Sequence, residues 1–114
     1  MKRLVFSSLF SVIALTASAQ TADVKTDTIA VSGNCSMCKK RIEDAAYSKG
    51  VKRADWNDET KKLVVVYRPS KTNLTAIQQH IAAAGHDAGP VAAKEADYKK
   101  LPDCCQYKSN SCNH

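Results

Sequence analysis

From residue 28 onward the apolar positions recur first every second residue and then every third or fourth, and these changes of period mark out the elements. Thr28-Ile29-Ala30-Val31-Ser32 alternates with period two and predicts a strand that ends at Gly33. Beyond it Cys38, Ile42, Ala45 and Ala46 share one helical face, with Lys39, Arg41, Glu43 and Asp44 turned outward. Gly50 suits the left-handed position that stops such a helix. Val51 to Asn57 and the β-branched run Leu63 to Tyr67 predict two further strands, joined by the turn residues Asn57-Asp58-Glu59-Thr60 into an antiparallel hairpin. Pro69 ends the hairpin. Thr72 or Asn73 can cap a second helix whose stripe is Leu74, Ile77, Ile81 and Ala84, closed by Gly85. Ala88 to Ala93, interrupted by Pro90, predicts a short fourth strand, with the proline at a sheet edge or at the strand's beginning.

The order is therefore βαββαβ. Two helices on one face of a four-stranded antiparallel sheet give an α+β sandwich of the ferredoxin-like type. Residues 28–93 form the domain, residues 20–27 read as a polar, flexible leader, and residues 94–114 read as a Cys-rich tail with little periodicity.

The N-terminus changes the picture of where the protein works. Met1-Lys2-Arg3 is basic, Leu4 to Thr16 is apolar but diluted by serines, and Ala17-Ser18-Ala19 is a small-x-small site. That layout predicts a secretory signal peptide over residues 1–19, hence a periplasmic or secreted protein. The apolar run is shorter than the roughly 20 residues a spanning helix needs, so no stable membrane insertion is expected after cleavage. The whole chain carries a net charge of +6. Losing Lys2 and Arg3 lowers it to about +4, with both signs interspersed. A nucleic-acid binder needs a concentrated basic face with aromatic platforms, and neither is present.

Cysteine usage carries the chemistry. All five cysteines (Cys35, Cys38, Cys104, Cys105 and Cys112) come after the signal segment, and an odd number argues against a complete disulfide framework. Cys35-Ser36-Met37-Cys38 falls where the first strand gives way to a helix, so both sulfurs can converge as the backbone turns. Helix N-terminal amides and the charges of Lys39, Lys40 and Arg41 favour thiolate over thiol there. Thiolates select soft or borderline ions: Cu(I), Zn, Cd or Hg. A Cys-x-x-Cys alone also occurs in redox motifs and zinc half-sites, but its place after the first strand of a βαββαβ pattern sharpens the signal.

On these residues the chain resembles the heavy-metal-associated domain family, which includes copper metallochaperones, the metal-binding modules of copper-transporting ATPases and an exported mercury-binding protein. The resemblance rests on Val31-Ser32-Gly33-Asn34-Cys35-Ser36-Met37-Cys38, Arg41-Ile42-Glu43, Gly50-Val51 and Ala84-Gly85-His86-Asp87-Ala88. It implies that Cys35 and Cys38 hold one soft metal ion, Cu(I) foremost. It also implies a partner: a metal-transporting ATPase, an efflux component or another metal acceptor. The family usually carries a methionine two positions before the first cysteine; here that position is Gly33, which puts the rigidity of the loop in question.

In the family fold the loop holding His86 lies beside the cysteine loop, so His86 is a candidate third ligand, proton-sensitive gate or partner contact, against an idle, exposed loop histidine. Lys39, Lys40 and Arg41 are candidate docking residues for an acidic partner. In the tail, Cys104, Cys105, Cys112 and His114 are soft-ligand residues with three readings: a second metal site, a lid lending ligands to the first, or a disulfide such as Cys105 to Cys112. The rival function from another class is a thiol-disulfide oxidoreductase, disfavoured because Ser36-Met37 replaces the Gly-Pro of thioredoxin-type motifs. No Ser/His/Asp set or glycine-rich phosphate loop points to an enzyme.

Overall fold

The computed structural model describes residues 23–109. Three strands, β1 (Lys25–Ala30), β2 (Val51–Asn57) and β3 (Lys62–Tyr67), form an antiparallel sheet in the order β1-β3-β2. Helices α1 (Ser36–Ala46) and α2 (Leu74–Ala83) pack on it. Alternation along each strand sends Ile29, Ala54, Trp56, Leu63, Val65 and Tyr67 inward, where Cys38, Ile42, Ala46, Ile77 and Ile81 of the helices meet them. Thr28, Arg53, Asp55 and Val64 face outward, so the sheet is covered on one side only.

The α+β plan agrees with the sequence, and two boundaries differ. Lys25, Thr26 and Asp27, expected in a flexible leader, form the first half of β1 and pair with Tyr67, Val66 and Val65 of the central strand β3. Buried backbone groups on β3 need partners on both edges, and this pairing supplies them. Residues 20–22 and the signal segment 1–19 lie outside the described residues.

The fourth strand is the larger correction. Only two isolated bridges remain of it, Val31 with Ala88 and Ala88 with Val91. The second bridge shows the cause: the chain doubles back at Gly89-Pro90, with Ala88 and Val91 exchanging both backbone hydrogen bonds at 2.9 and 3.0 Å. Gly89 supplies the positive φ of +54° for the turn, and Pro90 has no N–H to continue a ladder. A sheet of three strands is the result.

The helix termini agree closely with the sequence pattern. Asn73 is the cap of α2, its side chain accepting from the Ala76 amide at 2.8 Å. Cys35 is the cap residue of α1 in extended conformation and makes no side-chain cap bond. In the hairpin, the Asn57 side chain accepts from the amides of Glu59 and Thr60, and Lys61 takes a left-handed φ of 58° to close the turn.

Gly33 occupies a place where a side chain has no room. A Cβ there would lie 3.0 Å from the Trp56 ring and from Ile42 Cδ1. The indole thus fills the space beneath the cysteine loop at this position. We expect Gly33→Ala to destabilise the domain by about 1–3 kcal/mol through overpacking. In a Trp56→Phe background the added cost should shrink, giving a coupling energy above about 0.5 kcal/mol in a denaturation cycle. Strict additivity of the two substitutions would refute this account of the loop.

Candidate metal centre

The loop before α1 is held by side chains from three other elements. Trp56 of β2 donates its indole N–H to the Val31 carbonyl at 3.0 Å. His86, after α2, sets Nδ1 2.7 Å from the Ser32 carbonyl. Lys61, from the hairpin turn, donates to the Asn34 carbonyl at 3.4 Å while its ammonium sits 5.3 Å from the Trp56 ring centre. Backbone bonds from Val31 to Lys61 and from Ser32 to Asp87 complete the frame. The chain therefore reaches Cys35 along a fixed path, turns into α1, and places Cys38 one turn later. Cys38 is fully buried and Cys35 is half-buried. Met37, between them, is 53% exposed.

The basic residues after Cys38 are arranged differently from the expected solvated cluster. Lys39 turns back to donate to Glu43 and Asp55, each at 2.7 Å, and to the Trp56 carbonyl at 2.8 Å. The Asp55 carboxylate, and then that of Glu43, raise the Lys39 pKa, while Lys39 holds Asp55 below the usual carboxylate range. This ammonium ties α1 to β2. Lys40 stays outward, paired with Asp44 at 3.2 Å, and Arg41 is half-buried, its Nε lacking a hydrogen-bond partner among the described residues.

His86 is not an exposed loop residue: it is fully buried. A carbonyl acceptor at Nδ1 requires the Nδ1–H tautomer, which leaves Nε2 as a buried lone pair without a hydrogen-bond partner among the described residues. The ring stacks on Tyr107 at 5.8 Å. Burial lowers the His86 pKa and the charge of Arg41 adds to this, against the opposing pull of the Ser32 carbonyl and Asp87. His80, by contrast, is exposed on α2.

The tail has more structure than its sequence pattern implies. A short helix α3 (Glu95–Lys99) and one 3-10 turn (Asp103–Cys105) bring Leu101 and Cys105 into the core. Tyr107 anchors the end of this segment: its hydroxyl donates to the Gly85 carbonyl at 3.1 Å and accepts from the Asp87 amide at 3.0 Å. Cys104 lands on the cysteine loop, its carbonyl 3.4 Å from Asn34 Nδ2 and 4.0 Å from Cys35 Sγ. Burial pushes the Cys105 thiol well up, and the neighbouring Cys38 and Cys104 thiols raise it further. No disulfide joins any two of Cys35, Cys38, Cys104 and Cys105. Cys112 and His114 lie outside the described residues. Among the described residues no three His, Cys, Asp or Glu side chains stand in ready-made metal-holding geometry, so His86 is not gathered with the cysteines. Nothing in the local sequence pattern marks Trp56, Lys61 or Tyr107 as site residues, because all three act through contacts distant in sequence.

Comparison with known proteins fits this arrangement. The heavy-metal-associated domain family matches residues 28–87, more than half of the chain. The chain belongs to that family. The structure of the CopZ metallochaperone is similar at 30% identity and a TM-score of 0.54, over 56% of this chain and 98% of CopZ. A copper form of a CopA variant from Bacillus subtilis is similar at 33% identity and a TM-score of 0.52, over 60% of this chain and 92% of the other. The N-terminal domain of the zinc(II) ATPase ZiaA, in its apo form, is similar at 35% identity and a TM-score of 0.51, over 58% of this chain and 64% of that one. No curated protein matches in sequence.

The buried His86 makes stability depend on pH. Its folded pKa is depressed below the ordinary value of 6.5, so the unfolded chain binds the extra proton first as pH falls. The neutral ring's contribution should be complete above that value and lost as pH drops through the folded pKa. Denaturation midpoints across this range should fall on acidification, and His86→Phe should flatten the part of the slope that belongs to this ring. Parallel slopes in the two proteins would refute it.

Proposed function

We propose that this chain is an exported soft-metal carrier that holds Cu(I) as cargo between Cys35 and Cys38 and passes it to a partner protein. The observation that carries the reading is the Cys-x-x-Cys at the start of α1 in a heavy-metal-associated domain, on a loop whose carbonyls are braced from three directions. Two thiolates satisfy Cu(I), which accepts two or three ligands, whereas Zn(II) in structural sites takes four. The similarity to a metallochaperone and to domains of a P-type ATPase and a zinc(II) ATPase supports handover rather than catalysis. A metal-transporting ATPase, an efflux component or another acceptor is the fitting recipient. Export rests on the signal-like residues 1–19, and puts the carrier in the periplasm or outside the cell. Among the described residues no helix is long and apolar enough to cross a membrane.

A braced loop serves this role because little of it must be ordered when the ion arrives, so the binding free energy is not spent on folding the site. Half-buried Cys35 is the thiol an acceptor can reach, while Cys38 is fixed in the core. Release therefore starts at Cys35. Among the docking candidates, Lys40 is the outward charge, whereas Lys39 is committed to Glu43, Asp55 and the Trp56 carbonyl.

The reduced full chain should bind Cu(I) with Cys35 and Cys38 as essential ligands. Cys35→Ser with Cys38→Ser should remove the tightest equivalent in competition with a Cu(I) chelator, and unchanged retention would refute the site. Charge steering acts on association rate and weakens with salt. Lys40→Glu should accordingly slow transfer to an acidic acceptor at low salt, and rates insensitive to both changes would remove Lys40 from the docking surface.

A further inference from the structure

Over residues 94–109 the chain stays on the domain and crosses the cysteine loop. Leu101 is 3% exposed, Cys105 is 0% exposed, and both belong to the core that contains Cys38. Beside this anchor, Cys104 Sγ lies 4.0 Å from Cys105 Sγ and 3.1 Å from Met37 Sδ, while its carbonyl faces Cys35 Sγ at 4.0 Å. Adjacent cysteines in an extended strand would point to opposite sides. The 3-10 turn brings these two sulfurs to one side instead, with Cys105 against Cys38 and Cys104 against Met37 between the two loop cysteines. Their separation is close to the ~3.8 Å edge of a tetrahedron built on ~2.3 Å metal–sulfur bonds.

A buried cysteine is often only a small apolar filler, and that reading accounts for Cys105 alone. It does not account for half-buried Cys104, whose side chain and carbonyl both turn onto the loop. We propose that Cys104 and Cys105 close the Cys35–Cys38 site as two further thiolate ligands, so that the segment is a strap converting a two-sulfur carrier site into a four-sulfur site for a thiophilic d10 ion. The proposal rests on the assignment of Cys35 and Cys38 as ligands. The four sulfurs do not stand as a ready-made cage, so closure takes rearrangement of the cysteine side chains when the ion arrives. With the strap open the site keeps the two thiolates that suit the Cu(I) cargo, and with it closed the same site offers the four that a divalent ion takes. An acceptor that takes the ion must displace Cys104 and Cys105 before it can reach Cys38.

The experiment is a Cd(II) titration of the reduced full chain under anaerobic conditions, read by thiolate-to-metal charge-transfer absorbance and by competition with a chelator. Cys104→Ser with Cys105→Ala should lower the absorbance per bound ion by about half and weaken retention by at least about tenfold. Because Cys105 is a core residue, Cys104→Ser alone is the second variant. Its site is half-buried, Trp56 fluorescence reports whether it folds, and it should lose about a quarter of the absorbance. Unchanged absorbance and retention in a folded Cys104→Ser protein overturn the strap proposal. The parallel Cys35→Ser, Cys38→Ser protein separates the two readings. If it loses the ion while the Cys104 variant is unaffected, only the strap fails; if it retains the ion unchanged, the loop site fails and the strap with it.

Discussion

The indole of Trp56 is wedged beneath Gly33 while its N–H holds the Val31 carbonyl, and the position of the cysteine loop depends on that contact. Trp56 is itself held by the helix that the loop begins. Glu43 of α1 accepts from the Trp56 amide at 2.9 Å, and Lys39 of α1 donates to the Trp56 carbonyl. β2 is an edge strand of this sheet, so these backbone groups have no ladder partner on that side, and side chains of α1 supply one. The result is a closed circuit running from loop to helix to edge strand and back to the loop. Loosening any link shifts the placement of Cys35 relative to Cys38.

This circuit changes the electrostatics expected around the thiols. Lys39 comes directly after Cys38, and sequence alone makes it a charge that favours thiolate and attracts acidic partners. In the fold its ammonium sits among Asp55, Glu43 and a carbonyl, so its field is largely cancelled locally. Exposed ion pairs contribute only about 0–1 kcal/mol each. The greater effect of Lys39 is geometric, because it satisfies a strand-edge carbonyl and fixes the angle at which α1 leaves the loop. Lys40 instead keeps its ammonium at the surface, in a solvent-exposed pair with Asp44 at 3.2 Å that an acidic partner can compete for.

Much of the fold was legible because its elements are written in local pattern. β2 matches its expected bounds, Asn73 caps α2 as its side chain allows, and the stripe of Cys38, Ile42 and Ala46 faces the core. The Cys-x-x-Cys was legible for the same reason: spacing and the strand-to-helix change are both local. What escaped depends on distant partners. Thr26 and Asp27 carry no strand signal of their own and are ordered by β3. Tyr107 and Cys105 sit in a stretch without periodicity because a single turn of helix shows none, yet each meets residues 20 or more positions away. His86 looked like a loop residue since its neighbours are Gly85 and Asp87; Ser32, 54 positions earlier, is what draws it inside.

The shortened fourth strand and the strap are two sides of one constraint. β1 runs toward the cysteine loop, and a strand antiparallel to it that began beside Val31 at Ala88 would run the opposite way. Six residues of such a strand would carry the chain about 20 Å from the loop before the tail began. The tail could then return only by spanning the length of the sheet. Doubling back at Gly89-Pro90 keeps the chain at the cysteine end, so that α3 and the 3-10 turn need only a few residues to bring Cys104 and Cys105 over Cys35 and Cys38. The outer edge of β1 is left with Lys25 and Asp27, charged side chains of the kind that discourage pairing with another strand. Giving up ladder bonds at one edge is thus the geometric condition for a segment that covers the loop, which is why the departure from the expected four-stranded sheet and the docking of the tail occur together.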